Sequence, residues 1–184
     1  MSLDTDAASR DGPRRRSVAD RTMGPIARYL TDDHARLDDL LTRGAADPAA
    51  YAEFRAGLLR HIGMEEKLLL PAAQRARGGE PLPLAPRLRL DHGALVALLV
   101  PPATPAIRAA IRGVLERHNA LEEGPDGIYH ACEQLAGHDG AALLTSLQAF
   151  PEVPVHPHVD SDLVLGATRR ALARAGYAFE DFEA

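Results

Sequence analysis

His34, His61, His92 and His118 follow one another along the middle of the chain. Two of them carry a carboxylate four residues later, Glu65 after His61 and Glu122 after His118. Imidazole nitrogens and carboxylate oxygens gathered in an apolar interior form a ligand set for a pair of transition-metal ions. Two bridging carboxylates and four imidazoles would give each metal two nitrogens and two oxygens. A bridging oxide or hydroxide would add a fifth ligand and leave a position for a small exogenous molecule. That mixture suits iron, although zinc or manganese fits the same groups.

Helices must bring these residues together, and the apolar pattern supplies them. Ile26, Leu30, Leu37 and Leu41 mark a first stripe, and Phe54, Leu58, Leu68 and Leu69 a second. Leu84, Leu88, Leu95, Leu98 and Leu99 mark a third, and Ile107, Ile111, Val114, Leu115 and Leu121 a fourth. The breakers "RGAADPAA", "RGGEPLP" and "VPPATP" separate the stripes, and β-branched alternation is nearly absent. The expected fold is all-α, an antiparallel up-down four-helix bundle with a short C-terminal extension.

Each of the four histidines lies three or four residues from leucines or valines of its own stripe, so each imidazole should point into the bundle. If two residues share a height on adjacent antiparallel helices, the turn between them lies midway in sequence. The midpoints of 34 and 61, of 61 and 92, and of 92 and 118 all fall in or beside the breaker segments. The four histidines therefore share a level and an axis. A step of four residues turns a helix by about 400°, which keeps Glu65 with His61 and Glu122 with His118 on one face. A lone inward histidine is ordinarily a hydrogen-bonded core residue. Gathering six polar groups without a ligand would cost roughly 1–3 kcal/mol for each one left unpaired.

Asp38, four after His34, is expected to be solvated or to support a ligand from outside the first shell of donors. Glu123 is the alternative to Glu122, but a regular helix turns it about 140° from His118; the "GP" at 124–125 could kink the helix beside it. Tyr129 is expected to pack in the core, with gating or proton donation as the alternative. His130, His138, His156 and His158 lie off the ligand face or near the tail; "HPH" is read as a solvated loop able at most to bind surface metal weakly. Cys132 is expected to be a small buried residue, and Glu66 and Lys67 part of the wet face.

Composition bounds the function classes. The 184 residues are 46% hydrophobic and 26% charged, with a net charge of −5, so nothing attracts nucleic acid or an anionic membrane. The longest apolar run, Ala94 to Val100, is too short to span a bilayer. Residues 1–20 are polar, carry the basic cluster Arg14–Arg16 and have no signal-peptide layout, so a disordered tail is expected. The single cysteine excludes an intrachain disulfide and fits a reducing compartment, with the cytoplasm as the expected location. Residues 21–140 are assigned to the bundle and 141–184 to an extension. In that extension a proline-punctuated stretch precedes a short helix, with Asp160 or Ser161 as its N-cap.

The phrases "DDHARLDDLL", "HIGMEEKLLLP", "RLDHGAL" and "HNALEEGPDGIYHACEQL" resemble the hemerythrin-like family, whose domains are named for their His, His and Glu ligands. The order His…His-x-x-x-Glu…His…His-x-x-x-Glu carries the resemblance over about residues 22–140. It implies a four-helix bundle holding two non-heme irons, with His34, His61, Glu65, His92, His118 and Glu122 as metal ligands. Oxygen-carrying members use five histidines, two of them a turn apart on the third helix; here Leu88 and Val96 stand four residues either side of His92. No histidine lies between His34 and His61, where the nitric-oxide-responsive branch has an extra one. The pattern resembles the bacterial four-histidine, two-glutamate type, which leaves its metals less saturated.

Three functional readings are open. The first is a module that binds oxygen, nitric oxide or peroxide in sensing or stress response. The second is a di-iron enzyme that decomposes peroxide, and the third a zinc-binding or metal-free interaction module. The implied partners are a small diatomic or peroxide ligand and an unidentified protein or redox donor.

Overall fold

The computed structural model describes residues 23–124 and 126–182; the expected disordered tail at 1–20 and Pro125 lie outside these. Among the described residues the chain is all-α, without strands. Four long segments form the bundle: α1 (Pro25–Arg43), α2 (Pro48–Met64) continuing through a π-helical turn (Glu65–Leu69) into α3 (Leu70–Ala76), α4 (Ala85–Leu98) and α5 (Pro105–Glu123). Then follow α6 (Ile128–Ala136), a 3₁₀ turn (Gly137–Asp139), α7 (Gly140–Gln148), α8 (Asp162–Arg174) and a terminal 3₁₀ turn (Phe179–Phe182). No helix among the described residues is long and apolar enough to cross a membrane.

Local chemistry explains the boundaries. Pro25, Pro48 and Pro105 open their helices where the missing N–H costs nothing. Asp47 accepts from Ala49 N, Thr104 from Ile107 N and Ser161 from Val164 N, each capping the helix that follows. Of the two expected caps for the last helix, Ser161 is the one used. The start of α1 has no cap of its own, and Glu133 of α6 supplies one: its carboxylate accepts from Ile26 N at 2.8 Å and Ala27 N at 3.0 Å. Gly24 permits this, since a Cβ there would lie 2.2 Å from Glu133 Cδ.

The π turn has a covalent cause. Pro71 cannot donate to Lys67 O as a regular α-helix requires, and the register widens so that Leu70 N reaches back to Glu65 O. The fourth stripe lies within the single helix α5. The chain leaves α5 at Gly124 and restarts as a separate helix at Ile128. That break lets α6 pack against α1, α3 and α5 and deliver Tyr129 to the bundle interior.

The core divides into two apolar clusters. One, with Leu37, Phe54, Leu58, Leu95, Ile111 and Leu172, fills the end near the α1–α2 turn. The other, with Ile26, Leu30, Met64, Leu69, Leu88, Ile128 and Cys132, fills the opposite end. The C-terminal segment belongs to the first: α8 packs on α4, and Tyr177 and Phe179 are buried there. A polar layer lies between the two clusters.

Candidate metal centre

His34, His61, Glu65, His92, His118 and Glu122 form that layer, all of them buried. Their donor atoms fall into two overlapping groups, His34–His61–Glu65–Glu122 and Glu65–His92–His118–Glu122. Within each group the atoms lie within 4.8 Å of one another, and both carboxylates belong to both groups. The imidazoles are paired across the bundle, with ring centroids 4.5 Å apart for His34 and His61 and 4.8 Å apart for His92 and His118. Such clusters of nitrogen and oxygen donors could hold metal ions.

The contacts across the second group fit a cation better than a hydrogen-bond network. His92 Nε2 lies 3.1 Å from Glu65 Oε2, and His118 Nε2 lies 3.1 Å from Glu122 Oε1. Yet Glu65 Oε2, His92 Nε2 and Glu122 Oε1 are buried without an aligned hydrogen bond. Donors about 3 Å apart are spaced as neighbours in one coordination shell with bonds of about 2.1 Å.

The outward nitrogens are held by a second set of carboxylates that sequence reasoning did not assign. His34 Nδ1 meets Glu123 at 2.5 Å, His61 Nδ1 meets Asp33 at 2.8 Å and His92 Nδ1 meets Glu66 at 2.7 Å. Asp91 stands 3.7 Å from His118 Nδ1 and forms an ion pair with Arg87 at 2.9 Å. These contacts fix the Nδ1–H tautomer where the bond is short, and turn Nε2 toward the interior. The arrangement is crossed: an acid adjacent in sequence to one central residue supports a histidine on another helix. Successive helical side chains diverge by about 100°, so the neighbour of an inward residue faces the next helix. The doublets "DDH", "MEEK", "LDH" and "LEE" were the available signal.

The other neighbours separate clearly. Glu122 lies in the centre and Glu123 at its rim. Asp38 is exposed and bound to Arg112 at 2.5 Å, away from the cluster. Glu66 is not simply part of a wet face, since it bridges His92 and Arg89. Tyr129 is more than core packing. Its hydroxyl donates to Glu65 Oε1 at 2.6 Å, and it lies 3.1 Å from Glu122 Oε2, 3.1 Å from His34 Nε2 and 3.2 Å from His61 Nε2. Cys132 is buried, as expected.

Charge is strongly coupled in this layer. Burial alone would lower His61 and His118, but nearby carboxylates, Glu65 and Asp33 for the first and Glu122 and Asp91 for the second, raise each to about 10. Burial opposes ionisation of Glu65, yet His61 and His92 hold it well below the usual carboxylate range. Burial and the Glu65 charge push Glu122 upward, and burial with both glutamates keeps the Tyr129 phenol protonated well above its ordinary range. The centre therefore has one carboxylate, Glu65, held anionic, a neutral phenol, and raised imidazoles at His61, His92 and His118.

No protein-family model, curated protein or solved structure matches the chain.

Proposed function

We propose that the chain is a hemerythrin-like, non-heme di-iron protein that binds a small oxidant or gas (oxygen, nitric oxide or peroxide) in sensing or in the response to oxidative or nitrosative stress. The observation carrying this reading is the pair of overlapping donor groups that share both Glu65 and Glu122. Two ions in these groups would be joined by carboxylates, each with two imidazoles, and His34, His61, Glu65, His92, His118 and Glu122 are the proposed ligands. Bound iron would supply one-electron chemistry and open coordination positions in a buried polar layer between two apolar clusters. Glu123, Asp33 and Glu66 hold three of the imidazoles in orientation, and the apolar clusters on either side limit water.

Peroxide decomposition is the second reading, and Tyr129 favours it. Its hydroxyl donates to Glu65 Oε1 at 2.6 Å, within the layer where a peroxide would need hydrogen bonding.

The test is metal content with an ultraviolet–visible spectrum, on protein purified without oxygen and then exposed to air. Two irons per chain with oxo-bridge charge-transfer bands support the reading. One zinc, or no metal uptake after iron reconstitution, rejects it. Stopped-flow spectra then separate the two functions: a stable reversible adduct indicates binding, and multiple turnover of peroxide indicates an enzyme.

A further inference from the structure

A second polar site lies outside the histidine layer, near the α1–α2 turn, and it is cationic. Arg55 of α2 is only 8% exposed, and Tyr51, one turn earlier, is 4% exposed. Arginine is seldom buried this far without a carboxylate partner. Here the Arg55 guanidinium donates from Nη2 to the His156 carbonyl at 3.0 Å, while Nε has no partner. The Tyr51 hydroxyl is likewise buried without a hydrogen bond. Arg108 of α5 lies close enough for both guanidinium charges to act on that hydroxyl, and its own Nη1 is used only on the Ala103 carbonyl. Neither arginine forms an ion pair with a carboxylate among the described residues, and Asp47 is committed to the Ala49 amide.

These groups line one pocket of about 450 Å³, with His158 at its rim stacked on Tyr51 at a ring-centroid distance of 6.0 Å. The "HPH" segment thus forms a wall of this pocket, through the His156 carbonyl and the His158 ring. Two guanidinia without a carboxylate partner and a phenol hydroxyl are thus contributed to one pocket, from α2 and α5. Such donors match a tetrahedral oxyanion, which offers acceptors in several directions. The volume exceeds that of a bare anion and leaves room for a small attached group.

We propose that Arg55, Arg108 and Tyr51 form a binding site for a phosphate group, free or carried by a small phosphate monoester. The site is separate from the histidine layer: Arg55 precedes His61 by six residues, about 9 Å along the helix. It does not depend on the metal reading.

The experiment is calorimetric titration of the full chain with inorganic phosphate, glycerol 3-phosphate and succinate, supported by ³¹P line broadening. Both phosphates should bind and succinate should not; tighter binding of glycerol 3-phosphate identifies the monoester as the better occupant, and equal binding identifies the free anion. Arg55→Met removes a staple to the 150–160 segment and could unfold it, so Arg108→Ala is the decisive variant. It should keep its metal content and weaken phosphate binding by about tenfold or more. No binding by the wild-type chain, preference for succinate, or unchanged affinity in Arg108→Ala overturns the proposal. So does phosphate binding that survives Arg108→Ala but is lost in His61→Ala, since that places the anion at the histidine layer.

Discussion

The His34–His61 half of the centre and the His92–His118 half share Glu65 and Glu122, but they are completed differently. In the first half the Tyr129 hydroxyl lies within 3.2 Å of a donor atom from all four residues. In the second half no described hydroxyl plays that part, and His92 Nε2, Glu65 Oε2 and Glu122 Oε1 are left without aligned hydrogen bonds. The outer supports are short for His34, His61 and His92, at 2.5 Å, 2.8 Å and 2.7 Å, and long only for His118 of the second half, at 3.7 Å. A folded chain can satisfy the first half by hydrogen bonding alone. The second half is left with unaligned buried polar groups, each costing about 1–3 kcal/mol when unpaired, and a cation would satisfy them.

The largest expected effect tests whether the halves are joined at all. Glu65→Ala should abolish binding of both ions, because that carboxylate belongs to both groups; metal analysis of the purified variant reads this directly, and retention of two ions would show the halves to be independent. Next comes the contrast between His118→Ala and His61→Ala. Each should lose one ion and lower the melting temperature, with the greater loss in His118→Ala, where no phenol compensates. Equal losses in the two variants would remove the asymmetry.

Proton release is a third probe. In the metal-free chain His61 and His118 are raised from 6.5 to about 10, whereas a bound cation takes the neutral imidazole. Metal uptake should therefore release protons, and apparent affinity should rise with pH between 6.5 and about 10. For the metal-free fold the sign is opposite. The raised pKa values stabilise it fully below 6.5, and that contribution is lost as pH rises through about 10. Thermal unfolding of chelator-treated protein across this range measures the second effect, and pH-indicator titration the first. The smallest change is expected for Tyr129→Phe. Removing the hydroxyl leaves Glu65 Oε1 only the longer His61 Nε2 contact at 3.5 Å and should destabilise the metal-free chain by about 1–3 kcal/mol in chemical denaturation. The metal-loaded chain should lose less, because the cation takes over that oxygen.

Much of this was legible in the chain. Proline and glycine breakers, together with stripes at helical spacing, gave the all-α bundle, and the same stripes placed His34, His61, His92 and His118 inward. Local periodicity is a property of a single segment, and burial of its apolar face follows from the hydrophobic effect. Asp33 and Asp91 were overlooked, and Glu66 and Glu123 were read without their imidazole partners, because those partners lie on other helices. Tyr129 was expected to pack in the core, because no local pattern shows where a helix beyond the break at Gly124 points. The restart at Ile128 gives α6 an orientation of its own.

The sequence by itself determined which residues face inward and at what height, because helical rise and rotation are set by backbone geometry. Only the tertiary structure decided which carboxylate meets which imidazole, that Glu133 caps a distant helix, and that Arg55 and Arg108 share a pocket with Tyr51. Those pairings depend on distances between segments far apart in the chain, which helix packing fixes and no local pattern encodes.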